Sequence, residues 1–274
     1  MREERGFLKR ADGSFLYCTV HAPAAGSGAG DDAVVCCAPF FEEQVFCLRP
    51  LVDIARGLAE RASAAVVRFD FLGQGESDGR FDASTLDACN EDLTTVLAHV
   101  RQDLRPRRVF LAGVRLGFAC ILDHLRAGAA ADGLIAIDPV VDTAGYANDI
   151  LRADLSRQLV VHRRVLRDRE QLAGDLLQGG TVNIDGYPFG GPLFADLVDE
   201  TRAAARQQPL SVPCLLLKTR RGTLPRDLEL LQALAPGLPE HEFPVEAFWK
   251  TRRFSRDDYA DLVATAAGWL AEIG

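Results

Sequence analysis

The sequence contains no uninterrupted apolar run approaching the roughly 18–20 residues that a bilayer span requires, and its opening, Met1-Arg2-Glu3-Glu4-Arg5-Gly6, has no hydrophobic signal core. A cytoplasmic protein without a membrane span is therefore expected. An excess of basic residues is also missing: 31 Lys and Arg against 39 Asp and Glu leave a formal net charge of -8. An acidic surface gains nothing from nucleic acid or an anionic bilayer, so neither is the expected partner, although local basic clusters are compatible with that balance. The 7 cysteines include no Cys-x-x-Cys spacing, so no metal site is expected. Cys36, Cys37, Cys120 and Cys214 lie in apolar runs, as buried free thiols of a reducing compartment do. No internal repeat or low-complexity tract is present, and nothing implies a cofactor.

What is present fits one large α/β core with an inserted segment: 274 residues, 48% hydrophobic and 26% charged. Residues 14 to 21 predict an edge strand, and 33–38, 64–69, 109–114 and 133–137 are apolar runs of the kind buried on both faces of a parallel sheet. Helical periodicity occupies about 49–62, and Ser84-Thr85-Leu86-Asp87 predicts a capping box opening a helix to about Arg101. The rhythm breaks from about 140 to 208, where a charged segment holds the Gly-dense stretch 178–192 and a helix near Leu193 to Arg206. It returns with strands at 212–218 and 242–249 and a closing helix from Ser255 to about Ile273. Alternating strands and helices imply right-handed crossovers and a mainly parallel sheet covered on both faces.

One stretch organises the rest. Val109 to Cys120 runs from an apolar strand through Gly113-Val114-Arg115-Leu116-Gly117 straight into a helical pattern, the strand, sharp turn and helix of a nucleophile elbow. Gly113 and Gly117 supply the small residues that this tight geometry needs. The nucleophile itself is missing. Arg115 stands in its place, and a guanidinium that stays protonated has no lone pair with which to attack an acyl carbon. A second string, Gly75-Glu76-Ser77-Asp78-Gly79, matches Gly-x-Ser-x-Gly but lies in a loop well short of any helix, so Ser77 is expected to tie down its own loop.

Together with Asp70-Phe71-Leu72-Gly73-Gln74-Gly75-Glu76-Ser77, the elbow resembles the α/β-hydrolase superfamily. Pro39-Phe40-Phe41-Glu42-Glu43, Gly-Val-Arg-Leu-Gly, Asp185-Gly186-Tyr187 and Ala247-Phe248-Trp249 are more narrowly similar to the second type of exosortase A system-associated hydrolase, over about Val34 to Trp249. The resemblance implies an α/β-hydrolase fold with an inserted helical cap, divided as 1–139 and 209–274 for the core and 140–208 for the cap. It implies a bacterial exopolysaccharide or protein-sorting setting more firmly than a reaction.

In that superfamily the acid and then the histidine follow the elbow along the chain. After the strand at 212–218 no carboxylate occurs until Asp227, and after Trp249 the chain reads Lys250-Thr251-Arg252-Arg253 without a histidine. His241 precedes the last strand, His99 and His124 fall in flanking helices, and His162 lies in the cap. A Ser-His-Asp triad is thus not expected. Basic groups, Arg115 with Lys218 or Arg220 and Lys250 or Arg252, are expected to converge at the strand ends. Arg115 is then paired either with Glu42 or Glu43, or with an anionic ligand. Phe40, Phe41, Val114, Leu116, Tyr187 and Trp249, with Phe189 and Phe248, either line a pocket between cap and core for a small anionic or acyl-type ligand or simply pack the two together. Cys36 and Cys37 are better read as core than as nucleophiles, and Asp70 and Asp138 as loop caps. Three functions follow: a non-hydrolytic binding protein, an enzyme using Glu42 or Glu43 as base with Arg115 as electrostatic stabiliser, or a protein-interaction module. A homodimer is left open.

Overall fold

A computed structural model describes residues 1–23, 32–250 and 259–273. Among them the strands are β1 (Arg2–Lys9), β2 (Phe15–Ala22), β3 (Asp32–Cys37), β4 (Ala65–Phe69), β5 (Arg108–Val114), β6 (Gly133–Ile137), β7 (Thr181–Ile184), β8 (Tyr187–Gly190), β9 (Cys214–Arg220) and β10 (Glu240–Glu246). The helices are α1 (Phe41–Arg61), α2 (Leu86–His99), α3 (Leu116–Arg126), α4 (Thr143–His162), α5 (Arg169–Leu177), α6 (Gly191–Val198), α7 (Glu200–Arg206), α8 (Pro225–Leu234) and α9 (Ala260–Glu272). None is long and apolar enough to cross a membrane.

Eight strands make one sheet in the order β1-β2-β4-β3-β5-β6-β9-β10. From β4 to β10 the pairs are parallel, and β2 joins both β1 and β4 antiparallel. Alternation along the central strands divides the core. Val34, Cys36, Val66, Phe110 and Ala112 face the layer of α1 and α9, whereas Val35, Cys37, Val67 and Leu111 face the layer that holds α2 and α3. Both faces are buried, which is why the sequence shows continuous apolar runs there.

Several expectations shift. The edge strand is β1, not residues 14 to 21: its Arg-Glu-Glu-Arg start is mostly exposed, so it lacks the apolar pattern of a covered strand, as charged edges do. Helix α1 starts at Phe41, ahead of its apolar periodicity, with Glu42 and Glu43 in its first turn where carboxylates suit the helix dipole. The cap of α2 is Thr85, whose side chain accepts from the Ala88 N–H, and the carboxylate serving this end is Asp196 of α6, which accepts from the Leu86 N–H at 2.7 Å. Strand β10 ends at Glu246, so Ala247 to Trp249 lie beyond it. The segment between β6 and β9 is not purely helical: the Gly-dense stretch folds as the hairpin β7-β8, and the last cap helix breaks at Asp199, which caps α7. Residues 255–258 of the predicted closing helix lie outside the described residues.

Arg206 of α7 ties this segment to the core. It is fully buried, with its guanidinium on both carboxylate oxygens of Asp123 in α3 (2.5 and 2.8 Å) and on the Thr143 hydroxyl.

The elbow glycines are required by contact. A Cβ on Gly113 would lie 2.5 Å from the Phe118 Cα, and one on Gly117 would lie 2.4 Å from the Cys37 carbonyl oxygen, both backbone atoms that cannot step aside. Gly117→Ala is therefore expected to lower unfolding free energy by about 2 kcal/mol or more. Gly174→Ala, whose Cβ would meet nothing within 4 Å in the interior of α5, is expected to raise it by about 0.5–1 kcal/mol. Chemical denaturation of the two variants measures both.

Candidate functional site

The turn between β5 and α3 has the strained geometry of an elbow. Arg115 sits at φ 51°, ψ -125°, outside the regions comfortable for a side chain. The strain is held from both sides: the Arg115 N–H donates to the Ile137 carbonyl, and the Arg115 carbonyl accepts from the N–H groups of Phe118 and Val140. The side chain is buried, with 2% of the residue exposed.

A desolvated guanidinium needs partners, and the protein supplies them. Arg115 Nε lies 3.3 Å from Glu43 Oε1, and one terminal nitrogen donates to the Asp138 carbonyl at 3.1 Å. Glu43 Oε2 accepts from the Tyr146 hydroxyl at 3.2 Å, so both carboxylate oxygens are engaged. The guanidinium carbon stands 3.6 Å from the centroid of the Trp249 ring and 5.7 Å from that of Tyr146. Burial pushes the Glu43 carboxyl up from its ordinary value while Arg115 pulls it down. Arg115 is itself held above its usual value because Glu43, Tyr146, Asp227 and Asp138 outweigh the cost of burial. Tyr146 is pushed well up, by burial first and by Glu43 second.

The contact continues through Trp249. Its indole N–H donates to Asp138 Oδ2 at 3.1 Å. The same carboxylate accepts from the Thr219 N–H (2.9 Å), the Thr219 hydroxyl and the Thr223 hydroxyl (3.0 Å), so β9 and its following loop close around it. Burial raises the Asp138 carboxyl, with these donors pulling the other way. Gly222 leaves the room, since a Cβ there would lie 2.1 Å from Asp138 Oδ2. The elbow residue, a carboxylate and a residue beyond the last strand thus stand in line as Arg115, Trp249 and Asp138.

Asp138 fastens the loop after β9, in keeping with a loop cap, but its contact with Trp249 and the parts of Tyr146, Thr219 and Thr223 were not read from the sequence. The one available signal was its position at the end of an apolar strand before Pro139. Glu42, paired in expectation with Arg115, is exposed and lines a separate cleft of about 630 Å³ with Arg157, Asp185 and Gln158, because the first turn of α1 points adjacent residues in different directions. Of the basic residues only Lys250 approaches the site among the described residues, its Nζ 4.8 Å from the Trp249 ring centroid and donating to the Arg221 carbonyl; Lys218 reaches Glu240 (3.2 Å) and Arg220 lies near Glu246 (3.6 Å). Arg252 lies outside the described residues. Ser77 ties its loop, donating to the Asp70 carbonyl and accepting from the Tyr17 N–H. All seven cysteines are buried and free, with the Cys36 thiol pushed up by burial to about 12. His241 lies near the start of β10, at the end of the strand away from the elbow.

The predicted pocket residues do not line one cavity, but part of the set packs together, as the alternative reading had it. Phe40, Val114 and Leu116 are buried in the core, Val114 on the α1 face and Leu116 on the other. Phe41 packs edge-on against Phe81, Tyr187 and Phe189. Tyr187 alone of the six lines a cavity of about 480 Å³, which opens between α1 and the β2–β4 side of the sheet.

No family model and no curated protein matches the chain. Solved structures do. Est1E from Butyrivibrio proteoclasticus, in a structure with ferulic acid bound, superposes with a TM-score of 0.69 at 16% identity, covering 97% of this chain and 98% of that one. The esterase domain of a Rhodothermus marinus protein gives 0.61 at 17% identity over the full length of both chains. Mouse alpha/beta hydrolase domain-containing protein 10 gives 0.62 at 15%, covering 99% of this chain and all of that one. With the sheet order and the elbow, these likenesses define the class: the chain has the α/β-hydrolase fold.

Glu43→Gln removes the only carboxylate within 4.0 Å of Arg115 among the described residues, and unpairing a buried charge costs about 3–5 kcal/mol. The double variant Arg115→Met, Glu43→Leu, which replaces the whole pair by apolar groups, is expected to cost less than Glu43→Gln alone, as read by denaturant midpoints.

Proposed function

We propose that this protein is an α/β-hydrolase-fold protein without Ser-His-Asp hydrolysis, in which the elbow has become a structural tie and the working role is binding. The supporting observation is the line of Arg115, Trp249 and Asp138. Arg115 stands at the nucleophile's place and Trp249 beyond the last strand, where the base would follow, while the carboxylate that meets the indole, Asp138, ends β6 rather than following β9. None can do that work. Arg115 carries no attacking lone pair, and the indole N–H of Trp249 donates but cannot accept a proton. Asp138 orients an indole where it would orient an imidazole.

The rival enzymatic reading, with Glu43 as base, is disfavoured by the same geometry. Glu43 is committed to Arg115 through one oxygen and to Tyr146 through the other, so taking up a substrate proton would weaken its pairing with the buried guanidinium. An anionic ligand at Arg115 is disfavoured too: the cation already faces Glu43, with Asp138 and Asp227 nearby, so a further anion would meet net negative charge. Ligand binding is better placed in the 480 Å³ cavity between α1 and the β2–β4 side of the sheet, within the roughly 300–1,000 Å³ of small-molecule sites. The exosortase-associated, bacterial exopolysaccharide setting and the division into core and cap at 140–208 belong to the same proposal and rest on the sequence resemblance.

With p-nitrophenyl acetate and butyrate, the wild-type protein and Arg115→Ser are both expected to show no turnover above buffer. Robust turnover by either, abolished by Asp138→Asn, would mean that a base operates here and would overturn the reading.

A further inference from the structure

The 480 Å³ cavity holds a cation that the protein has positioned without neutralising. Arg68 projects from β4 onto the α1 face of the sheet, in register with Cys36 of β3 and Thr19 of β2. Its Nε donates to His21 Nε2 at 3.1 Å. That bond fixes the imidazole tautomer, because an Nε2 that accepts leaves the proton on Nδ1, and Nδ1 then donates to Glu3 Oε1 at 3.0 Å. Glu3 in turn takes Arg56 Nε at 2.6 Å. The relay ends on Arg68 with a neutral acceptor. Among the described residues no carboxylate lies within 4.0 Å of its guanidinium, and its two terminal nitrogens make no hydrogen bond. Asp70, at the end of the same strand, is occupied by the Glu76 N–H (3.1 Å) and by Gln44 (3.4 Å). Burial disfavours the Arg68 charge, while Asp70 and Glu3, neither within 4.0 Å, work the other way.

The opposite wall carries an apolar stripe between Gln44 and Arg56 of α1. Val45, Leu48, Leu51 and Val52 of α1 line it, and Leu48 stays 55% exposed at the opening. A fixed guanidinium fork suits one carboxylate, and the aliphatic wall suits a hydrocarbon chain. Asp70 and Glu76 line the same space and work against a second negative charge, which favours a monoanion over a phosphate ester.

We propose that this cavity binds a medium-chain monocarboxylic acid, its carboxylate on Arg68 and its chain along the α1 wall. The proposal rests on the binding reading above but not on the inertness of the elbow.

Calorimetric titration of the full chain with sodium octanoate is expected to show saturable one-to-one binding. Loss of a charge-assisted pair in Arg68→Gln weakens it by roughly tenfold or more, and octanol and octyl phosphate bind weaker than octanoate by a similar factor. Leu48→Glu, at an exposed position where folding is undisturbed, also weakens octanoate. Absence of octanoate binding, or affinity unchanged in both Arg68→Gln and Leu48→Glu, or equal affinity for octanol, overturns the proposal. Turnover of p-nitrophenyl octanoate that survives Arg68→Gln would instead sink the non-hydrolytic reading of the elbow.

Discussion

Burying a guanidinium at a strained turn is the constraint on which the rest of the site depends. Arg115 is held at positive φ by bonds to β6 and α3, and in that place its charge must be met by the protein or the fold loses several kcal/mol. Glu43 meets the charge, Tyr146 holds Glu43, and Trp249 covers the flat face of the guanidinium. A desolvated contact of that kind contributes up to about 2 kcal/mol. Asp138 then satisfies the indole N–H, and β9 with its loop satisfies Asp138. The charge thereby connects α1, β5, β6, α4, β9 and the segment after β10, which are the elements an active site of this fold would draw upon.

Much of this was legible in the sequence and some was not, for reasons that differ. The sheet was legible because its central strands are buried on both faces, so that Val34 to Cys37 or Leu134 to Ile137 read as unbroken apolar runs. The elbow was legible because Gly113 and Gly117 are demanded by backbone contacts. Strand β1 was not, since an exposed edge has no hydrophobic period, nor was the β7-β8 hairpin inside a stretch dominated by glycine. At the site, Arg115 and Glu43 could be paired on paper. Glu42 could not be separated from Glu43 until the direction of the first turn of α1 was known. The role of Asp138 depends on where β9 places Thr219 and Thr223, 81 and 85 residues away along the chain, which no local pattern encodes.

The likeness to these solved structures at 15–17% identity fixes the architecture and leaves the chemistry to the residues. Those residues separate two tasks that a hydrolase of this fold combines. On the proposed reading the elbow holds the core together, and a ligand is received in the cavity between α1 and the sheet, which Arg68 and aliphatic side chains of α1 line.

The central claim is that Arg115, Trp249 and Asp138 form one structural unit where a reacting unit would stand. A double-mutant cycle between Arg115→Met and Asp138→Asn, read by chemical denaturation, tests it most directly, because Trp249 bridges the two side chains. The account predicts a coupling of about 0.5–3 kcal/mol, the range for residues that share a network. It further predicts that the coupling falls toward zero when the cycle is repeated in a Trp249→Leu background. Additive effects in the presence of Trp249 would contradict it.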